Sequence, residues 1–420
     1  MHNVLILGGG GREHALGWKL AQSPRCKQLF FGPGNAGTAQ KGHNLDLDPM
    51  DFEAVQAAIE KNDIAYLIVG PEAPLVAGIT DYFEDHSVKV IGPSQKGAQL
   101  EGSKSYANAF MDKFNIPTSK SVDITADNLE EGYALIDQTI GNIVLKADGL
   151  AAGKGVLILE DKAEAKHQLK EMIQEHKFGV ASEKVVIEEF LDGLEFSVFV
   201  VTDGQGYKLL PIAKDYKRIG EGDTGLNTGG MGAVSPVPFV DVALMEKVEQ
   251  KIIQPTIAGL QQEKIGYNGI LFIGLILVKG EPYVIEYNCR LGDPETEVIL
   301  PRLDSDLMDL FIATAAGDLN NEPLKFSDET AATIMLVSGG YPENYEKGKI
   351  ITFDSAIQDT LVFHAGTKLN NEEIITSGGR VIALTSFGSD HKAAIAQCMN
   401  NIDKVHFEKM HYRTDIGFDL

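Results

Sequence analysis

The first hundred residues repeat one unit: a short apolar run, a Gly or Pro turn, and a helical pattern. It is seen in "NVLILGGGG" followed by "REHALGWKLAQS", in "QLFFGPGNAG", in "DIAYLIVGPEAPLVAG" and in "KVIGPS". Alternating β and α segments commit a chain to a parallel sheet with helices on both faces, and place ligands at the carboxyl ends of the strands. A first domain is therefore expected at residues 1–102.

The pattern changes at "SKSYANAFMDKFNIPTSK", which reads as a helix stopped by Pro117. The segments "NIVLKADGLAAGKGVLILE", "KVVIEEFLDGLEFSVFVVTDG" and "YKLLPIAKDYKRIG" then alternate strands with glycine-rich turns. They suggest an antiparallel sheet with mobile loops, a lid subdomain at about residues 118–190, and a second domain at 103–325 with a helix near 303–316. After "NNEPLKFSD" come short strands and one helix near 390–402, so a small β-rich domain is expected at 326–420. At 420 residues the chain exceeds one hydrophobic core, and an α/β and α+β multidomain architecture follows.

Composition, at 44% hydrophobic and 23% charged, is that of a soluble globular protein, and the net charge of −23 argues against nucleic acid or an anionic membrane as main partner. If the substrates are anions, metal ions and a few placed lysines must supply the positive charge. The three cysteines, Cys26, Cys289 and Cys398, lack metal-ligand spacing and indicate a reducing compartment. The N-terminus enters a strand directly, with no leader pattern, and no apolar run is long enough for a bilayer, so a cytoplasmic protein is expected.

Four motifs could carry chemistry. "LILGGGGREHAL" places glycines between strand and helix, where N–H groups bind phosphate, but Glu13 stands where the dinucleotide fingerprint needs its third glycine. A nicotinamide site is thereby disfavoured, and a tight βα turn without ligand is the plain alternative. "VLKADGLAAGKGVLIL" lacks Walker A spacing; it reads as a hairpin loop whose N–H groups and Lys154 could close over phosphates, with Lys146 on the incoming strand. In isolation it would be an ordinary hairpin. "VVIEEFLDGLEFSV" is a strand broken at "EEFLDG", where freed backbone groups could meet an adenine edge, or where an acidic turn is simply solvated.

The fourth, "YVIEYNCRLGDPETEV", is the most informative, because charge crowds the end of an apolar strand. Side chains alternate along a strand, so Glu286 and Asn288 share a face and Cys289 takes the other. Two oxygen ligands suit Mg²⁺, which leaves the rest of its octahedron to water and phosphates. Arg290 would continue on that face if the strand persists, and could stabilise a transferring phosphoryl group.

Lys104, Lys146 with its glycine-rich loop, the "EEFLDG" break and the strand-borne Glu-x-Asn-x-Arg, in that order, resemble the ATP-grasp fold. More narrowly, "RLGDPETEV" and "KDYKRIGEGDTGLNTGGMGAVSP", with "VLILGGGGREHAL", "FFGPGNAGTA" and "VGPEAPLVAG" upstream, resemble the phosphoribosylamine–glycine ligase family over essentially the whole chain. The resemblance implies ATP-dependent ligation of glycine to 5-phosphoribosylamine through glycyl phosphate, with ATP and Mg²⁺ or Mn²⁺, and with no obligate protein partner. It implies that Lys104 and Lys146 hold ATP phosphates under a loop containing Gly153, Lys154 and Gly155. Glu188, Glu189, Phe190 and Leu191 would line adenine and Glu195 would hold ribose. Glu286 and Asn288 would bind the metal, Arg290 and Asp293 would line the reacting centre, and Gly9, Gly10, Asn35, Asp215 and Lys217 would contact substrate. Two departures stand out: "GILFIGLILV" offers no further acidic metal ligand, and Leu226 stands where the family leads one to expect Pro. A sister ligase of the superfamily using bicarbonate is the nearest rival reading, and the length points to a monofunctional form.

Overall fold

The computed structural model describes residues 1–151, 155–354 and 357–420. Strands His2–Gly8, Cys26–Pro33, His43–Asn44, Ile64–Val69 and Lys89–Pro93 pair in parallel, as the βα alternation predicts. The side chains of His2–Gly8 and Ile64–Val69, at the middle of this group, are buried on both faces, as helices on both sides of a sheet require.

This sheet does not end at the edge of the N-terminal segment. Strand Tyr267–Val278 starts antiparallel to Lys89–Pro93 through Tyr267 and Asn268, then continues between Leu194–Thr202 and Glu281–Asn288. One nine-stranded sheet results, and one apolar core runs from Leu5 and Val55 through Phe110 to Leu275 and Tyr287. The sheet and its core thus run on past the expected boundary near residue 102.

A second core of its own lies in the four-stranded antiparallel sheet Ser121–Ile124, Val185–Glu189, Ile143–Ala147 and Val156–Leu159. Helices Leu129–Gln138 and Lys162–Gln174 cover it with Leu129, Ile136, Leu169 and Met172. The helix expected near 303–316 begins at Leu307, where Asp306 caps it by accepting from the N–H groups of Met308 and Asp309.

The C-terminal sheet borrows from the middle of the chain. Its order is Lys214–Asp215, Gly232–Ser235, Thr330–Val337, Arg380–Gly388 and Thr360–His364, so the "KDYK" and "GGMGAVS" segments join it instead of the central sheet. Between them, the hairpin Arg218–Gly220/Thr224–Asn227 is tied down by Arg413. That guanidinium is wholly buried, pairs with Asp223 at 2.6 Å and Asp415 at 2.7 Å, and stacks on Tyr216. Among the described residues no helix is long and apolar enough to cross a membrane.

Candidate active site

The end of strand Glu281–Asn288 is where chemistry-bearing groups converge. Glu286 pairs across the ladder with Gly274, and Asn288 with Phe272, so both project from one face. The Asn288 amide nitrogen lies 3.4 Å from a Glu286 oxygen, so the two side chains are neighbours, while the amide oxygen accepts from Arg290 at 3.1 Å. Gly274 leaves space beside them, since a Cβ there would sit 3.3 Å from Glu286 Cγ. Among the described residues no cluster of three His, Cys, Asp or Glu side chains could hold a metal. Glu286 and Asn288 together fit a hard cation that completes its shell with phosphate and water.

Three lysines face this point. Lys146 donates to the Ile285 carbonyl at 3.3 Å and pairs with Glu188 at 2.7 Å. Lys104, at the start of helix Lys104–Lys113, donates to the Ala147 carbonyl at 2.9 Å; burial lowers its ammonium from the ordinary lysine value, and Glu286 opposes that shift. Lys217 bridges Glu195 at 3.0 Å and Asp215 at 2.9 Å. Burial alone would lower the Lys217 ammonium, but Asp215, Glu195 and Glu286 outweigh it and hold the group well above its ordinary value. Lys217 in turn holds the half-exposed Glu195 carboxylate below the usual range.

The strand break lies between Val185–Glu189 and Leu194–Thr202. Among the described residues the backbone groups of Phe190, Leu191 and Asp192 take no partner, which leaves donors and acceptors free beside the exposed Phe190 ring. Glu189 is exposed, and its N–H already donates to the Lys120 carbonyl at 2.9 Å. Glu188 differs from its expected place at the adenine: it is buried and accepts from Ser119 as well as Lys146. Gly155 packs against Ala147, its carbonyl accepting from the Ala147 N–H at 2.8 Å. Gly153 and Lys154 lie outside the described residues.

One expectation needs correction. The strand stops at Asn288, so Arg290 reaches back instead of extending the face. Its guanidinium donates to Glu101 at 2.8 Å and Asn288 at 3.1 Å, with Glu72 at 3.4 Å, and is therefore already neutralised. Those carboxylates outweigh the effect of burial and raise its affinity for the proton. Asp293 accepts from the Arg12 N–H at 3.3 Å and pairs with Arg380 at 3.0 Å.

The glycine turn is occupied by a carboxylate of the chain itself. The Gly10 N–H donates to Glu13 at 2.6 Å, and a Cβ at Gly8 would lie 2.6 Å from the same carboxyl carbon. The residue that breaks the dinucleotide fingerprint thus fills the turn with its own anion, and Asp293 occupies the next helix-terminal N–H. Asn35 is similarly spent. Its amide donates to the carbonyls of Gly9 at 3.0 Å, Gly10 at 3.2 Å and His364 at 2.7 Å, and accepts from Gly37 and Thr38.

Sequence reasoning missed Glu72, Glu101 and Arg380. Glu72 follows the carboxyl end of strand Ile64–Val69 and could have been found by the strand-end rule. Glu101 and Arg380 reach the site from remote parts of the chain, with no motif to flag them.

Residues 2–101, 102–296 and 331–419 match, respectively, the N domain, the ATP-grasp (A) domain and the C domain of phosphoribosylglycinamide synthetase. A phosphoribosylamine–glycine ligase of Chlorobaculum tepidum is 44% identical over 99% of both chains, and one of Neisseria meningitidis serogroup B is 45% identical over 99% of this chain and 98% of that one. A bifunctional purine biosynthetic protein of Pichia angusta is 44% identical, with this chain spanning 53% of its length. The crystal structure of a phosphoribosylamine–glycine ligase from Thermotoga maritima superimposes with a TM-score of 0.87 at 36% identity, covering 98% of this chain and 99% of that one. A biotin carboxylase from Campylobacter jejuni, 16% identical with a TM-score of 0.75 over 99% of this chain and 93% of that one, shares the fold alone. Matched along nearly its whole length by all three domains and by full-length relatives, the chain belongs to the phosphoribosylamine–glycine ligase family.

Proposed function

We propose that the strand end at Glu286 and Asn288, the lysines facing it and the break after Glu189 form the ATP and metal site of the family's reaction. That reaction joins glycine to 5-phosphoribosylamine, giving glycinamide ribonucleotide, ADP and phosphate. The observation that carries the reading is the convergence of Glu286 and Asn288 with Lys104, Lys146 and Lys217, each from a different part of the chain, in a protein whose net charge is −23. Lysines converging on a pair of oxygen donors suit a ligand made of phosphates and a bound cation, even though Lys146 and Lys217 also pair with carboxylates of the site.

Lys104 and Lys146 would hold ATP phosphates, the free backbone of Phe190 and Leu191 would meet the adenine edge, and Glu195 would accept from ribose hydroxyls. Glu286 and Asn288 would hold Mg²⁺ or Mn²⁺, which when bound neutralises phosphate charge. Asp215 and Lys217 would contact substrate, and Asp293 with the Gly9–Gly10 turn would border the amine substrate. Division into units at 1–102, 103–325 and 326–420, with a lid at about 118–190, suits this scheme. A cytoplasmic setting fits three free cysteines.

Glycine carboxylate is a poor acyl donor. In the first step one of its oxygens attacks the γ-phosphorus of ATP, the bond to the β–γ bridging oxygen breaks, and ADP leaves. In the second, the amine of 5-phosphoribosylamine attacks the acyl carbon, phosphate departs with the carbon–oxygen bond pair, and the nitrogen loses a proton. The protein contributes alignment and charge, not a nucleophile. Carboxyl-¹⁸O-labelled glycine must then deliver one label to the released phosphate. Unlabelled phosphate would overturn the acyl phosphate route, and ADP release independent of glycine would overturn the ligase assignment.

A further inference from the structure

We infer that Glu101 is the positioning residue for the metal-binding end of strand Glu281–Asn288. Its carboxylate, carried by helix Gln95–Gly102, fixes Arg290, and Arg290 fixes the Asn288 amide. The inference rests on reading Glu286 and Asn288 as metal ligands.

The relay is continuous. One Glu101 oxygen accepts from Arg290 Nη2 at 2.8 Å, and the same nitrogen donates to Asn288 Oδ1 at 3.1 Å. The other Glu101 oxygen accepts from both the Cys289 N–H at 2.8 Å and the Cys289 Sγ at 3.0 Å, so the first residue past the strand is held as well. On its far side the Asn288 amide nitrogen faces Glu286 at 3.4 Å. The amide is therefore held from both edges, its nitrogen toward Glu286 and its oxygen toward Arg290, and Oδ1 keeps a second lone pair with which it could meet a cation.

Charge gives Glu101 its second task. A guanidinium within hydrogen-bond reach of a metal ligand would repel the incoming dication. Glu101, whose side chain is only 7% exposed, and Glu72 offset that charge, so Arg290 can orient the amide without opposing the metal. Because Glu101 also lies just before Lys104, the segment that aims a lysine at this site locks the metal ligand too. Neutral Glu101→Gln keeps the shape but turns an amide N–H toward a donor, either Arg290 or Cys289.

The test is Mn²⁺ binding in the presence of ADP, followed by electron paramagnetic resonance. Substitutions in groups that orient ligands cost about 10- to 100-fold in metal affinity. Glu101→Gln should weaken Mn²⁺ by about 10-fold or more, and raise the Mg²⁺ needed for half-maximal rate by a similar factor, while KM for ATP at saturating metal changes little. Arg290→Lys, which cuts the relay one step nearer the metal, should weaken Mn²⁺ at least as much and serves if Glu101→Gln does not fold. Wild-type Mn²⁺ affinity in either variant overturns the inference, even if melting temperature falls, because a merely structural role would lower stability alone. Glu286→Ala separates the two readings: if it also leaves Mn²⁺ affinity unchanged, the metal site itself has been misplaced.

Discussion

Lys146 Nζ stands 2.7 Å from a Glu188 oxygen, and both side chains are almost wholly buried. Lys146 rises from Ile143–Ala147 and Glu188 from the adjacent Val185–Glu189, within the sheet that has its own core. The lysine proposed to hold phosphate thus already neutralises a buried carboxylate. Lys146→Met should abolish ligation and also destabilise the fold by about 3–5 kcal/mol, because it strands a buried charge. Adding Glu188→Gln should recover most of that stability without restoring turnover. Denaturant unfolding beside the activity assay separates the effects, and a double variant no more stable than Lys146→Met would refute the pairing argument.

Glu286→Ala and Asn288→Ala should each lower turnover by about 100-fold or more at ordinary Mg²⁺, with little change in melting temperature. The strand they end is held by the ladder of Tyr267–Val278, which neither substitution touches. Near-normal rates in both would remove the metal assignment.

The alternation rule made this pair legible because a strand carries its facing in its own sequence, and it likewise put Cys289 opposite, where the structure buries it. The βα repeat was legible for the same local reason. What was not legible depends on distant pairing. The sheet crosses from the N-terminal segment into the centre through two residue pairs, Tyr267 with Pro93 and Asn268 with Gly92, too few to leave a periodic trace. Arg290 was expected to continue the face of Glu286 and Asn288 if the strand persisted, but the strand stops at Asn288 and Arg290 pairs with Glu72 and Glu101, neither of which neighbours it in sequence. Glu13 could be seen to spoil the dinucleotide fingerprint, yet only the fold shows its carboxylate seated in the turn.

Glu295 gives a pH test. It is 4% exposed, and burial together with the Asp215 carboxylate pushes its carboxyl up from 4.5 to about 7. A raised folded-state value means that the protonated form is favoured in the fold. Its contribution to stability is therefore complete below 4.5, is lost as pH rises toward about 7, and stays lost above. Glu295→Gln mimics the protonated carboxyl permanently. The stability of wild type relative to this variant should fall across that window with a slope of at most about 1.4 kcal/mol per pH unit. A flat difference between pH 4.5 and 7 in urea unfolding would show that Glu295 titrates normally.

Asn35 offers the sharpest contrast between shape and polarity. Its amide nitrogen serves the carbonyls of Gly9, Gly10 and His364, while its oxygen takes the N–H groups of Gly37 and Thr38, so one side chain fastens the glycine turn to the C-terminal sheet. Asn35→Ala leaves several buried backbone groups unpaired and should cost roughly 2–4 kcal/mol. Asn35→Asp is nearly isosteric and keeps the acceptor, but it aims a carboxylate oxygen at three carbonyl oxygens in a site that is 4% exposed. It should therefore be at least as damaging as Ala at neutral pH, and should regain stability as acid protonates it. Because the turn borders the proposed amine site and not the ATP phosphates, variants that still fold should show a raised KM for 5-phosphoribosylamine with KM for ATP little changed. An Asp variant as stable as wild type would mean that the Asn35 amide is not the donor to those carbonyls, and the tie between the turn and the C-terminal sheet would have to come from elsewhere.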